Sequence, residues 1–352
     1  MNKPPRNAIL DWWTDLDNHR GERAALRRCR TLETAQDQPG TRRLLRALQH
    51  HKPTPSTEQA GAMAGLLSHV REDWEEAGSL GQQMAQSDAE TGRPAVSLLR
   101  FERLLRHQTR QELYHPLIRI LHLLDGKASV GKLANDLWDW GDGVRQQWAR
   151  DYYRQHFAAE EVPDSTDVKV LARAWWQRLA EHKDERAALR RCASLEEIQW
   201  QRGYHRLLRY VEGQKIYCAR IALVAGILAH VKTDRVAAED QASEPETPVP
   251  KIGKREKSTA KEDQPPSLAR QMAGETGASR AVVSGLRFRR LITLEAADDL
   301  YRPLVRIVQQ LGRKADVKID VAGLAEDLFY WSKEKRQQWA EHYFLNAPDK
   351  EP

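Results

Sequence analysis

Apolar residues in this chain recur at helical steps. Leu133, Leu137, Trp140, Val144 and Trp148 are separated by 4, 3, 4 and 4 residues. That spacing marks one face of a helix, or of two helices broken near Gly141 and Gly143. Leu324, Leu328, Trp331, Lys335 and Trp339 repeat the pattern, with a lysine in place of the valine. The lysine predicts a more exposed last turn, or an aliphatic stem that lies on the core with its ammonium in water. Similar stripes run through Arg100-Phe101-x-x-Leu104-Leu105 and through Leu117, Ile120, Leu121 and Leu124. Pro116 and Pro303 fall early in predicted helices and imply a start at the first turn or a kink. Alternating β-branched runs are scarce, and Val168-Lys169-Val170 and Val317-Lys318-Ile319 are too short to seed a sheet. The pattern predicts an all-α fold packed by Leu and Trp.

The pattern is also written twice. The string ERAALRRC runs from Glu22 to Cys29 and again from Glu185 to Cys192, 163 residues later. Trp12-Trp13 returns as Trp175-Trp176, and Arg43-Leu44-Leu45-Arg46 as Arg206-Leu207-Leu208-Arg209, at the same offset. The offset is 161 at Ala64-Gly65, 187 at Leu113-Tyr114 and 191 at Arg145-Gln146-Gln147-Trp148. So many collinear matches define a tandem duplication of a unit of roughly 155 residues, an ordinary domain size. Two helical bundles of one fold are expected, at 1–157 and 168–346, with about five to seven helices each. A short acidic linker, 158–167, joins them and reaches about 35 Å at most. The jump in offset falls within 232–266, a Pro-, Glu- and Lys-rich stretch whose composition predicts a disordered insertion. Residues 347–352 form a tail.

Composition narrows the partners. The 352 residues carry a net charge of +6, with 40% hydrophobic and 30% charged residues. No apolar run is long enough to cross a membrane, and the N-terminus has no secretory apolar segment. Three cysteines, Cys29, Cys192 and Cys218, exclude a disulfide framework and fit a reducing cytoplasm. Arginines outnumber lysines 39 to 17, and arginine is the side chain suited to phosphate forks. The first copy has a net charge of +3 and the ordered part of the second +10, so the excess sits in a folded body and not in a tail.

A catalytic or metal constellation does not emerge. His69 recurs as His230 on an apolar helix, but a lone histidine lacks the further ligands that a metal needs. Cys29 recurs as Cys192 without a CxxC partner and reads as a small packed hydrophobe. Glu22 and Glu185 each begin a helix, where an acid suits the macrodipole. The tryptophans could stack on bases, but their spacing with leucines makes them core residues. An enzyme would need a carboxylate or histidine cluster at matched positions of both copies, and the sequence has none. No cofactor or metal is expected.

The arginines carry the remaining signal. Arg27/Arg190, Arg28/Arg191, Arg43/Arg206, Arg46/Arg209, Arg100/Arg287, Arg103/Arg290, Arg119/Arg306 and Arg145/Arg336 hold their positions in both copies. Two readings stand: solvated helix faces with intrahelical ion pairs, or a basic face that tracks a phosphate backbone.

The same residues resemble a known family. Trp13-x-x-Leu16 and Trp176-x-x-Leu179 carry the resemblance, with the paired arginines of ERAALRRC and the Arg-Leu-Leu after a turn. Leu80-Gly81-x-x-Met84-Ala85, Leu268-Ala269-x-x-Met272-Ala273 and Arg100-Phe101-x-x-Leu104-Leu105-Arg106 add to it. The fullest match is LAxDLxxWxxxxRQQWAxxY, at Leu133 to Tyr152 and Leu324 to Tyr343. In this order, over most of each copy, they resemble the CasB family, the small α-helical subunit of the type I-E CRISPR Cascade complex.

The resemblance implies a non-catalytic subunit that contacts the backbone and large Cascade subunits, lies along a guide-RNA complex, and holds the displaced DNA strand on a basic face. The family has about one unit per chain and two copies per complex, so a fused tandem would supply both at a raised local concentration. The implied contacts are the recurring arginines above together with Arg106 and Arg289. Arg106 becomes Thr293, and Glu102 becomes Arg289, in the second copy, which implies unequal shares with a stronger second copy. The alternative is a helical scaffold that meets only protein partners, with the arginines serving solubility.

Overall fold

The computed structural model describes residues 5–87, 92–234, 267–274, 280–313 and 318–348. The chain divides into two units, residues 1–160 and 161–352. Unit one comprises α1 (Arg6–Asp15), α2 (Arg20–Arg28), α3 (Leu32–Gln36), α4 (Pro39–Leu48), α5 (Thr57–Leu67), α6 (Leu80–Ala85), α7 (Leu98–Leu104), α8 (Arg110–Leu123), α9 (Val130–Trp138) and α10 (Asp142–His156). Unit two comprises α11 (Val168–Glu181), α12 (Lys183–Arg191), α13 (Leu195–Gln199), α14 (Arg202–Tyr210), α15 (Cys218–His230), α16 (Leu268–Ala273), α17 (Gly285–Ile292), α18 (Ala297–Leu311), α19 (Val321–Phe329) and α20 (Lys333–Phe344).

The all-α reading holds, but the helices among the described residues number ten per unit rather than five to seven. Five of them, α3, α6, α7, α13 and α16, span only five to seven residues. All of these but α7 are too short to show a repeating apolar stripe and are set by capping instead. Thr31, Ser79, Ser194 and Ser267 accept the amide three residues on at the starts of α3, α6, α13 and α16. The Leu133–Trp148 stripe belongs to two helices, α9 and α10. Pro116 and Pro303 are the seventh residues of α8 and α18. They sit inside these helices rather than in the first turn, and each removes one ladder donor.

Each unit is built around one helix that is apolar on all sides. Every residue from Ala60 to Leu67 of α5, and from Ile221 to Ala229 of α15, is buried. Helix α5 packs against α3, α4, α8 and α9, and α15 against α13, α14, α18 and α19. Its glycines permit that crowding. A Cβ on Gly65 would fall 2.7 Å from the Tyr114 ring, and one on Gly226 would fall 2.6 Å from Tyr301. The tryptophans are core residues, as their spacing implied, and most of their indole N–H groups are used identically in the two units. Trp12 donates to Gly40 and Trp175 to Gly203, while Trp13 donates to Leu67 and Trp176 to Leu228.

A minimal strand pair completes the fold. In unit one, β1 (Glu72–Asp73) runs parallel to β2 (Lys127–Ala128). In unit two the equivalent is a single parallel bridge between Asp234 and Ile319. Asp73 and Asp234 each accept the backbone N–H that opens the following helix, from Val130 at 2.9 Å and Val321 at 3.3 Å. Asp234 is buried and also accepts from Arg173 at 3.0 Å. It therefore belongs to the folded unit, although composition assigned it to the insertion. The remainder of that insertion, 235–266, lies outside the described residues.

The lysine-for-valine exchange has a specific partner. Trp148 donates to Asp136 at 2.7 Å, and Trp339 to Asp327 at 2.8 Å. Lys335 reaches Asp327 at 2.8 Å and Glu326 at 3.4 Å, so its half-buried ammonium neutralises a carboxylate. Val144 gives Asp136 no such partner. Burial, reinforced by Asp151 and Asp139, pushes the Asp136 carboxyl up to about 6. The folded unit holds this proton more tightly than the unfolded chain does. Stability from this group is therefore lost as pH rises from about 4 through about 6. Val144→Lys should flatten that dependence by supplying the missing cation. Thermal denaturation of the full chain between pH 4.5 and 7.5 checks this, and an unchanged slope in the variant would refute the assignment.

Candidate nucleic-acid interface

The repeated string ERAALRRC builds α2 and α12, and its leucine is buried in both units. A helix end leaves carbonyls without an internal partner, and burial makes that costly. In unit one Arg23 and Arg27 donate from Nε to the Ser68 carbonyl, at 3.3 and 2.7 Å, and Arg23 also reaches the Val70 carbonyl. In unit two Arg186 and Arg190 donate to Ala229 at 3.1 and 2.7 Å, and Arg186 reaches Val231. The Arg23 and Arg186 guanidinium groups also lie over the Trp13 and Trp176 rings, 5.6 and 5.4 Å from the centroids. These arginines close the carboxyl ends of α5 and α15. Arg27 and Arg190, taken from the sequence as backbone-tracking residues, are thus each tied through Nε to a carbonyl of the same unit, while both side chains remain exposed. Arg23 and Arg186 recur within the same string, and sequence reasoning passed over them.

Arg43 and Arg206 also turn inward. Arg206 meets Glu185 through two bonds of 3.2 and 2.9 Å, with both side chains buried. Arg43 meets Glu22 at 3.1 Å and also pairs with Asp15. The recurring glutamates are therefore structural, chiefly as ion-pair partners. Arg145 is buried, donates to the Leu105 carbonyl at 2.9 Å and pairs with Asp142. Arg336 donates to Glu295 at 2.7 Å. Arg209 is half-buried on α14.

The others face solvent. Arg28, Arg46, Arg100, Arg103, Arg106 and Arg119 in unit one, and Arg191, Arg287, Arg290 and Arg306 in unit two, are exposed. None of these ten has an ion-pair partner among the described residues. Arg289 is exposed too and lies over the Phe344 ring, 5.6 Å from its centroid. Arg100 and Arg103 are three residues apart on α7, as Arg287 and Arg290 are on α17, so each pair shares a helix face. Leu99 and Leu286 beside them are 57% and 61% exposed.

Arg28 and Arg191 border matched concavities between consecutive helices. The one in unit one is lined by Arg28, Cys29, Arg30, Thr31 and Thr34, and the one in unit two by Arg191, Cys192 and Glu197. Arg30 and Glu197, neither singled out by repeat matching, make the first cationic and bring an acid into the second. The thiols behave as packed groups: Cys29 and Cys192 donate to the carbonyls of Ala25 and Ala188, and burial pushes Cys192 up to about 11.

His69 and His230 sit at the arginine-capped helix ends. Burial lowers both to about 4, with nearby arginines acting in the same direction, so both rings are neutral near pH 7. Among the described residues no three His, Cys, Asp or Glu side chains are grouped to hold a metal ion. No helix there is long and apolar enough to cross a membrane.

The family model described as CRISPR-associated protein Cse2 matches the chain twice, at residues 22–153 and 185–344. No curated protein and no solved structure matches the chain.

The division of the arginines is measurable. Arg206→Ala leaves Glu185 buried without its cation and should destabilise unit two by about 3–5 kcal/mol. The double change Arg287→Ala/Arg290→Ala should cost less than about 1 kcal/mol, since both side chains are exposed and unpaired. Urea denaturation of the two variants distinguishes these values; similar losses would overturn the division.

Proposed function

The chain belongs to the CRISPR-associated Cse2 family, the small subunits of the Cascade complex, and from that premise we propose that one molecule supplies both small-subunit copies and holds the displaced DNA strand on its exposed arginines. The tandem match supports the first half of this reading. The observation that carries the second is the sorting of recurring arginines. Arg43/Arg206 and Arg145/Arg336 have ion-pair partners within their units, and Arg27/Arg190, though exposed, each donate Nε to a carbonyl. Arg28/Arg191, Arg100/Arg287, Arg103/Arg290 and Arg119/Arg306 are exposed in both units without an acid. A ligand outside the chain gives them a common purpose, and arginine pairs with phosphate through two parallel hydrogen bonds.

Only a modest contribution is required. Exchanging a DNA duplex for an RNA–DNA hybrid is nearly balanced in energy, so a protein that binds the released strand biases the exchange. Each phosphate contact on a single strand adds about 0.7 to the log–log salt slope. The role is non-catalytic and cytoplasmic, and it brings the chain against guide RNA and the other Cascade subunits. A second reading, a scaffold that meets only protein, draws support from Leu99 and Leu286. Two leucines exposed at one repeat position offer an apolar contact to a neighbouring subunit. Bracing and strand holding are compatible on one subunit.

The test is binding of the full chain to single-stranded DNA over a range of NaCl concentrations. Changing Arg287, Arg290 and Arg306 to Ala should reduce the slope magnitude by about 2. The same change at Arg100, Arg103 and Arg119 should lower affinity less, because unit one carries less net charge. Equal losses would remove the asymmetry. Unaltered slopes in both, with co-purification of the other Cascade subunits retained, would leave the protein-only scaffold.

A further inference from the structure

The repeat positions Glu102/Arg289 and Tyr153/Phe344 differ together between the units. In unit one Tyr153 is buried and its hydroxyl donates to Glu102 at 3.4 Å. Its ring packs against Phe101 and Tyr152 and stacks on Phe157, with centroids 5.8, 5.7 and 5.9 Å away. In unit two both partners have changed. Phe344 is 46% exposed, and Leu345 beside it 82%. The ring stands edge-on to Phe288, with centroids 5.8 Å apart and planes at 85°, while Arg289 lies over it. Phe344 is thus held from within unit two and still presents much of its surface. Arg287, Arg289 and Arg290 lie within four residues on α17, which packs against α20. Within one turn of Phe344 on α20 there is one acid, Glu341.

We propose that Phe344 is a stacking platform for a base of single-stranded DNA, with Arg287, Arg289 and Arg290 taking the adjacent phosphates, and that this platform exists in unit two alone. The proposal rests on the strand-holding reading above and adds to it a site that contacts bases rather than phosphates. An exposed ring among unpaired arginines matches the two surfaces that a single strand offers, a π-face and a line of negative charge. Unit two has Pro348 at the repeat position of Phe157, so Phe344 lacks the ring that stacks on Tyr153, and arginine in place of glutamate turns a site that would repel phosphate into one that attracts it.

The experiment uses the full chain and two oligomers of equal length and charge, oligo-dT and an abasic deoxyribose phosphate strand. The wild type should bind oligo-dT roughly tenfold more tightly than the abasic strand, within the range expected for stacking of one base. Phe344→Leu should abolish that difference without altering the salt slope, and Phe344→Trp should retain it. Helical circular dichroism monitors folding; should Phe344→Leu unfold, the wild-type comparison and Phe344→Trp still decide. No wild-type preference for bases refutes the platform. So does full oligo-dT affinity in Phe344→Leu while Arg287→Ala/Arg290→Ala loses binding, which leaves strand holding intact. Undiminished binding in every variant removes both readings. A loss confined to an oligo-U strand would overturn the assignment to DNA. Retained DNA affinity with failure to co-purify with the other Cascade subunits would assign the patch to a protein partner.

Discussion

Each unit depends on satisfying the carboxyl end of a helix that is buried on every side. Helices α5 and α15 fill the centre of their bundles because their faces are small or apolar all round. The same burial denies water to their last carbonyls. Those groups must be paired within the protein or cost about 1–3 kcal/mol each. Two guanidinium groups and an indole N–H from neighbouring helices provide the partners. An arginine suits the task because its donors diverge and can serve two carbonyls at once, as Arg23 does with Ser68 and Val70.

This constraint accounts for the most conspicuous match within the chain. ERAALRRC recurs intact because nearly every position in it has a structural task. The glutamate pairs with an arginine of the α4 or α14 helix, the first and second arginines close the central helix, and the cysteine packs against the preceding turn. The third arginine, Arg28 or Arg191, is exposed without a hydrogen bond or ion pair among the described residues, and the second is exposed but bonded. Recurrence marks a residue as constrained without saying whether the constraint lies inside or outside the protein. Burial and partner geometry separate the two cases.

Much of the architecture was legible in the sequence, because it rests on features with a period. The duplication, the helical stripes and the tryptophan core all express periodicity over tens of residues. What escaped depends on tertiary placement. Whether Arg27 meets phosphate or the Ser68 carbonyl depends on where a helix 41 residues away ends. The number of helices escaped because the shortest of them are held by a single capping side chain and by packing. Asp234 was hidden for a related reason. An isolated acid in a polar stretch looks solvated until the amide of Val321 and the guanidinium of Arg173 are found against it. Of the candidate interface, the recurrence of the arginines was readable, and which of them have partners within their own unit was not.

The concavity beside Arg28 is bordered by Arg30, while the one beside Arg191 is bordered by Glu197. Two separate but identical chains would have to display the same groove twice, and a visitor would have no means of telling one from the other. Joining the copies in one polypeptide lets every position mutate on its own. The two concavities have accordingly come to differ in charge, a difference that a pair of identical chains could not carry.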